Sequence, residues 1–321
     1  FQEPVAAAAA QLDASLGELQ SVQSDWLLPQ LAEPLDDFIG EIEETLPDAE
    51  MASSTLDALP SILGGEGPRR YFVAFANPAE ARFQGGFTAS YAELLADNGK
   101  VTLERSGPIR DLIDADGSEG RTLGDLRVYD ERYSRWSVTR FFQNVTASPD
   151  WGVNAEVIGQ LYPQAGGSEI DGAIYVDPAG LAALLELTGP VQVPELGRTL
   201  DAAGVEEFLT KGQYTDPAIL DDPDRQTALV GAGDAMFDSL LSEELPAPRV
   251  IGEVLAPAVE QGHLLFTSFD PDDDEFLGEL GSTGAFVDRE GTDCLSVRSS
   301  NGAANKLNAY TSRDVAYDVT I

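Results

Sequence analysis

The sequence predicts an α/β fold, a mixed central sheet flanked by helices, with an N-terminal helical segment. Three observations predict it. From residue 67 onward, short apolar strand-like runs alternate with segments of helical periodicity, the pattern of a sheet layered with helices. Before that, residues 1–62 show Ala and Leu at helical spacing. Between the two lies Gly64-Gly65-Glu66-Gly67-Pro68, where Gly and Pro end a helix and open a turn. Two units follow: 1–66 as a helical stalk or hairpin, and 67–321 as the α/β domain.

The elements follow in order. Leu12, Leu16 and Leu19 share a helix face, and Pro29, Pro34 and Pro47 divide the segment into helices near 4–28, 34–46 and 54–63. Leu35, Phe38, Ile39, Ile42 and Leu46 form an apolar stripe whose simplest use is packing. Residues 71–75 read as a buried strand, 87–95 and 101–104 as a hairpin turned at Asn98-Gly99. Residues 106–135 read as a long polar loop with a short helix, a kind of segment that often carries function. Then come a helix at 154–161, a strand at 172–176 and a helix at 178–187 opened by Pro178. A strand at 191–193 and a helix capped by Asp201 precede a long helix at 222–242. The remainder reads as a helix at 248–261 kinked at Pro257, a strand at 264–267, an acidic helix at 270–280 and further short strands ending at 315–321. The first residue is Phe1 rather than Met, so removal of a leader or anchor is expected. The final strand is expected to lead into a further segment.

Composition narrows function. The chain has 321 residues, 19 cations and 56 acids, for a net charge of −37. That excludes nucleic-acid binding by bulk electrostatics and docking to an anionic membrane through a basic patch. A hydrophobic share of 43% is enough for a core. One cysteine, Cys294, excludes an internal disulfide, and one histidine, His263, excludes a His-rich metal centre. Both read as packing residues. The charge is uneven: residues 1–68 hold 14 acids and no cation, whereas 69–140 hold ten of the 16 Arg. An Arg concentration either binds phosphate or carboxylate through the guanidinium fork or neutralises nearby acids.

Arg70-Tyr71-Phe72-Val73, the run from Asn77-Pro78 through Arg82-Phe83-Gln84-Gly85-Gly86-Phe87, Asn144 with Ser148-Pro149-Asp150, Ile170 through Pro178 continuing to Val191, and Asn305 through Tyr310 together resemble the actinobacterial family catalogued as domain of unknown function 4012. The likeness is read over 60–321. It implies an extracytoplasmic protein anchored by an N-terminal membrane helix not in this chain, and no particular reaction. More distantly, residues 154–243 resemble LytR-CpsA-Psr proteins, which transfer lipid-pyrophosphate-linked glycopolymers to the cell wall. The shared pattern is a strand ending in an acid (Asp177), Gly189-Pro190-Val191, and Arg225-Gln226 opening a long helix. That resemblance implies a LytR-CpsA-Psr-like fold, arginines on a pyrophosphate, and Mg²⁺ held by carboxylates. Arg82 matches the arginine of the family's Arg-Ser-Asp strand, but Phe83-Gln84 follow it, so the matching metal-binding Asp is absent.

The candidate catalytic residues are therefore Arg82, Arg225 and Asp177. The candidate ligand-binding residues are Arg82, Gly85, Gly86, Arg135, Arg140, Arg225 and Gln226. Gly85-Gly86 lets a ligand approach bare backbone, or is a plain bulge. Arg225 sits in the first helical turn, where free N–H groups favour anions, or pairs with Asp221 or Asp222. Arg82 either binds a ligand or bonds Glu80. Asp177 lies at a strand's carboxyl end, where α/β ligands sit, or simply caps the following helix. Asp270 to Glu275 is explained by a helix cap with acids in the first turn better than by a Ca²⁺ loop, and Asp114-Ala115-Asp116 lacks the Gly of an EF-hand. The expected function is an extracytoplasmic envelope domain that binds a phosphate- or pyrophosphate-linked glycan, or a polyprenyl-phosphate-linked ligand, through arginines converging on one cavity. If an enzyme, it would be a phosphotransferase or phosphohydrolase; the alternatives are a non-catalytic scaffold or binding protein and a two-carboxylate glycan hydrolase.

Overall fold

The computed structural model describes residues 2–24, 28–219, 221–242, 246–285, 295–303 and 305–318. Two helices lead: α1 (Gln2–Val22) and α2 (Pro29–Ile62). They are antiparallel, tied by Gln20 to Glu43 and Gln23 to Asp36, at 3.0 and 2.8 Å. The expected breaks at Pro34 and Pro47 do not occur. Those prolines, with Pro60, lie inside α2. Each removes one backbone donor and strains one turn. Burial of Ile39, Ile42 and Leu46 offsets that loss.

The main sheet has the order β3-β2-β1-β4-β7. Strands β1 (Arg69–Arg82), β2 (Gly85–Asp97) and β3 (Lys100–Pro108) form an antiparallel meander. The turn between β2 and β3 places Asn98 and Gly99 at φ 50° and 81°, as Asn-Gly hairpins require. After β3 the chain makes α3 (Arg110–Ile113), α4 (Arg127–Tyr133) and α5 (Trp151–Gln164), then β4 (Gly172–Val176), which runs parallel to β1. Next come α6 (Pro178–Thr188), a small separate hairpin of β5 (Val191–Val193) and β6 (Arg198–Leu200), α7 (Ala202–Thr210) and α8 (Asp222–Ser242). Then α9 (Pro248–Glu260), β7 (Leu264–Ser268), antiparallel to β4, and α10 (Pro271–Glu279) complete the domain. Residues 295–303 and 305–318 form no strand, so the expected terminal strand is not present at 315–318; residues 319–321 and Cys294 lie outside the described residues.

Strand β1 is buried on both faces, and its side chains alternate between two cores. Phe72, Ala74 and Ala76 join Trp151, Ile158 and Tyr162 beneath the 109–150 segment. Tyr71 and Val73 join Leu181, Phe208, Ala228 and Met236 beneath α6, α7 and α8. The helical hairpin is bolted on at its base. Ser61 Oγ donates to Asp273 at 3.0 Å, and Arg69 bonds Ser61 and Asp270 at 3.0 and 2.9 Å.

The carboxyl end of β1 departs from regular pairing. The β1–β2 register shifts between Asn77 and Ala81. Gly85-Gly86 sits opposite this bulge, and a Cβ on Gly86 would lie 2.2 Å from the Asn77 carbonyl carbon. The bare backbone thus serves close strand packing. Gly86→Ala is expected to cost about 3 kcal/mol through overpacking against a backbone that cannot move aside. A urea titration checks this; an unchanged midpoint would contradict it.

Candidate functional site

A cavity of about 280 Å³ lies beside that bulge, toward the carboxyl end of the parallel pair β1 and β4. Six parts of the chain build it, the segment around Gln143 among them. Phe87, Ala89 and Ser90 of β2 form one wall, and α3 contributes Arg110. Tyr214, just after α7, and Arg225 and Gln226 from the first turns of α8 form the opposite wall. Lys306 enters from the C-terminal segment.

Its electrostatics run against the rest of the protein. Arg110, Arg225 and Lys306 line it, and none of the described lining residues is acidic. The polar remainder is neutral: three glutamines (143, 213 and 226), Ser90 and Tyr214. The Arg225 guanidinium lies 5.8 Å from the Tyr214 ring centroid, and Lys306 Nζ lies 4.2 Å from that of Phe87, so aromatic faces help position both cations. Asn77, buried at the β1 bulge, donates to the Leu209 carbonyl at 2.8 Å and to Tyr214 Oη at 3.3 Å, fixing that wall.

The sequence-based candidates divide. Arg225 and Gln226 are at the cavity. Arg82 is not: it borders a separate space of about 550 Å³ with residues 297–299, 308 and 311–313. Its guanidinium is 5% exposed and fully engaged, donating to Glu80 at 2.8 Å, Asn144 Oδ1 at 2.9 Å and the Ala81 carbonyl at 3.0 Å, with Trp136 stacked at 4.6 Å. The expected convergence of Arg82 and Arg225 therefore does not occur, because Glu80 and Asn144 claim Arg82 for the strand–loop junction. Gly85 is likewise structural: its φ is 155°, and a Cβ would lie 2.2 Å from Tyr175 Oη. Arg135 stacks on Trp136 at 5.1 Å and Arg140 on Phe141 at 5.2 Å, both away from the cavity. Asp177 caps α6, accepting from the Ala179 and Gly180 amides at 2.9 and 3.1 Å, and its other oxygen meets His263 Nδ1 at 2.7 Å.

Residues 66–214 match the family described as "Protein of unknown function (DUF4012)". This stretch, a little under half of the chain, is similar to that family. The match is shorter than the 60–321 read from the motifs, and Arg225, Gln226 and Lys306 lie beyond it. No curated protein matches the chain. Among solved structures, Lin1025 protein from Listeria innocua aligns at 12% identity over 68% of this chain and 79% of its own, with a TM-score of 0.34.

The matched stretch thus supplies most of the lining, Phe87, Arg110, Gln143, Gln213 and Tyr214 included, and the following segments supply Arg225, Gln226, Leu229, Val230 and Lys306. Sequence reading missed Arg110 and Lys306. Arg110 stood in the Arg-rich stretch, and Lys306, one of three lysines, in the 305–310 motif; neither had a spacing to single it out. Mg²⁺ does not fit the residues present. No described lining residue offers a carboxylate, and no group of three His, Cys, Asp or Glu among the described residues is placed to hold a metal.

Another unpredicted feature is Arg121, in the loop after α3. It is 6% exposed, and none of its guanidinium nitrogens has a hydrogen-bond partner among the described residues. Burial pulls its pKa down. An unpaired buried charge is costly, so Arg121→Met is expected to raise stability by about 1–4 kcal/mol. A lower melting temperature in the variant would contradict this.

His263 provides a pH test. Its hydrogen bond to Asp177 raises its pKa above the ordinary value, against an opposing effect of burial. A raised folded-state pKa means that protonated His263 stabilises the fold below the unfolded value of about 6.5, and that the contribution fades as pH climbs through the folded value. The urea midpoint of the parent is expected to fall over that window. His263→Asn is expected to remove this step; a step of equal size in the variant would contradict the assignment.

Proposed function

We propose that the cavity binds the phosphate or pyrophosphate group of a phosphate-linked envelope glycan, and that the domain is a binding protein rather than a transferase. One observation carries this: three cations and no described carboxylate line one cavity in a chain with 56 acids and 19 cations. Guanidinium and ammonium groups at a concave site match phosphate oxygens. Arg225 also lies in the first turn of α8, where backbone N–H groups favour an anion. Glutamine amides, Ser90 and the faces of Tyr214 and Phe87 suit the hydroxyls and rings of a sugar.

The order of elements supports a LytR-CpsA-Psr-like reading. Strand β4 is followed directly by Asp177, α6 leads to Gly189-Pro190-Val191, and Arg225-Gln226 lie near the start of α8. An extracytoplasmic location with a membrane anchor outside this chain belongs to the same reading. The described lining favours binding over transfer: its described residues offer no carboxylate to hold Mg²⁺ or to act as general base, and no acid pair for glycoside hydrolysis.

Isothermal titration with uridine diphosphate-N-acetylglucosamine, a soluble pyrophosphate-linked sugar, tests the reading. Arg225→Ala and Lys306→Met are each expected to weaken binding about tenfold, the scale of one lost charge-assisted contact. Variants that melt like the parent and bind as tightly would overturn it.

A further inference from the structure

We propose that the groove between α1 and α2 docks a cationic amphipathic helix of a partner protein. The groove encloses about 560 Å³ between the two helices. Its floor is apolar: Leu12, Leu19 and Val22 come from α1, and Phe38 and Ile42 from α2. Val22 and Phe38 are 57% and 51% exposed, an unusual position for two large apolar side chains on facing helices. The hydrogen bonds from Gln20 and Gln23 to Glu43 and Asp36 hold the helices at this spacing, so the groove is formed before anything binds. A trough between two antiparallel helices is the shape a third helix fills, its ridge of side chains settling into the seam.

The charge identifies the occupant. Glu18 of α1 and Glu41 of α2 both line the groove, and residues 1–68 contain 14 acids and no Lys or Arg. No cation of the hairpin itself can answer those carboxylates. A second copy of this hairpin would bring like charge against like charge, and an anionic membrane surface would repel it as well. A helix with an apolar stripe flanked by Lys or Arg satisfies both features at once: the stripe covers Val22 and Phe38, and the cations reach Glu18 and Glu41.

The test uses the whole chain and fluorescence anisotropy. The probe is a labelled helical peptide of about five turns, with Leu on one face and Lys on the other. Its control carries Glu in place of Lys. The Lys peptide is expected to bind at least about tenfold more tightly than the Glu peptide, and less tightly as salt rises. Phe38→Asp is the decisive variant. It adds negative charge, which would strengthen a purely electrostatic attraction to this acidic protein, yet it is expected to weaken binding about tenfold by removing the apolar anchor. Glu18→Gln with Glu41→Gln is expected to weaken it about fivefold and to flatten the salt dependence. Equal binding of the two peptides, parental affinity in Phe38→Asp, or Phe38-dependent adsorption of the chain to zwitterionic vesicles would each overturn the proposal. So would a dimer in sedimentation that Phe38→Asp dissolves.

Discussion

The Glu80 carboxylate, 8% exposed, is the constraint on which the cavity depends. A buried carboxylate must be paired, and this one is held by Arg82 at 2.8 Å and by Lys306. Through Arg82 it reaches Asn144 and Trp136, and so the long segment that follows β3. Through Lys306 it draws in the C-terminal segment, where Asn301 and Asn308 bond the Ala81 backbone at 2.8 and 3.3 Å. Lys306 then sits over Phe87 with its charge at the cavity. One carboxylate thereby fixes the strand bulge, the loop and the terminal segment together. The same carboxylate that holds Arg82 away from the cavity holds Lys306 at its edge.

This arrangement separates charge by purpose. Acids dominate the surface, where they are solvated and keep the chain soluble. Cations near the interior are either clasped, as Arg82 is, or line a cavity with no acid among its described lining residues, as Arg110, Arg225 and Lys306 do, Lys306 while also paired with Glu80. The helical hairpin takes the opposite course, with carboxylates alone around an apolar seam. The two regions thus carry lining charges of opposite sign.

Local signals were legible in the sequence. The Asn98-Gly99 turn, the Asp177 and Asp201 caps and the limits of β4 and α8 follow from short-range chemistry, and the structure places them where the residues indicate. The hairpin prolines misled, because tertiary burial of Ile39, Ile42 and Leu46 outweighs a local breaker. The site was half legible for a related reason. Arg225 and Gln226 announce themselves at a helix start, whereas the partners of Arg82 lie 2 and 62 residues away and Lys306 meets Glu80 across 226. Only folding decides which guanidinium is clasped away from the cavity and which lines it. Arg121 carried no sequence signal at all, since nothing local marks a cation that folding will bury with no hydrogen-bond partner among the described residues.

The most direct measurement of the central claim is a crystal soaked with pyrophosphate. The account places the anion's density in the cavity, within hydrogen-bonding reach of the side chains of Arg225 and Lys306, with the Arg82–Glu80 pair undisturbed. Density on Arg82 with that pair broken, or a cavity that stays filled with water alone at saturating pyrophosphate, would contradict it.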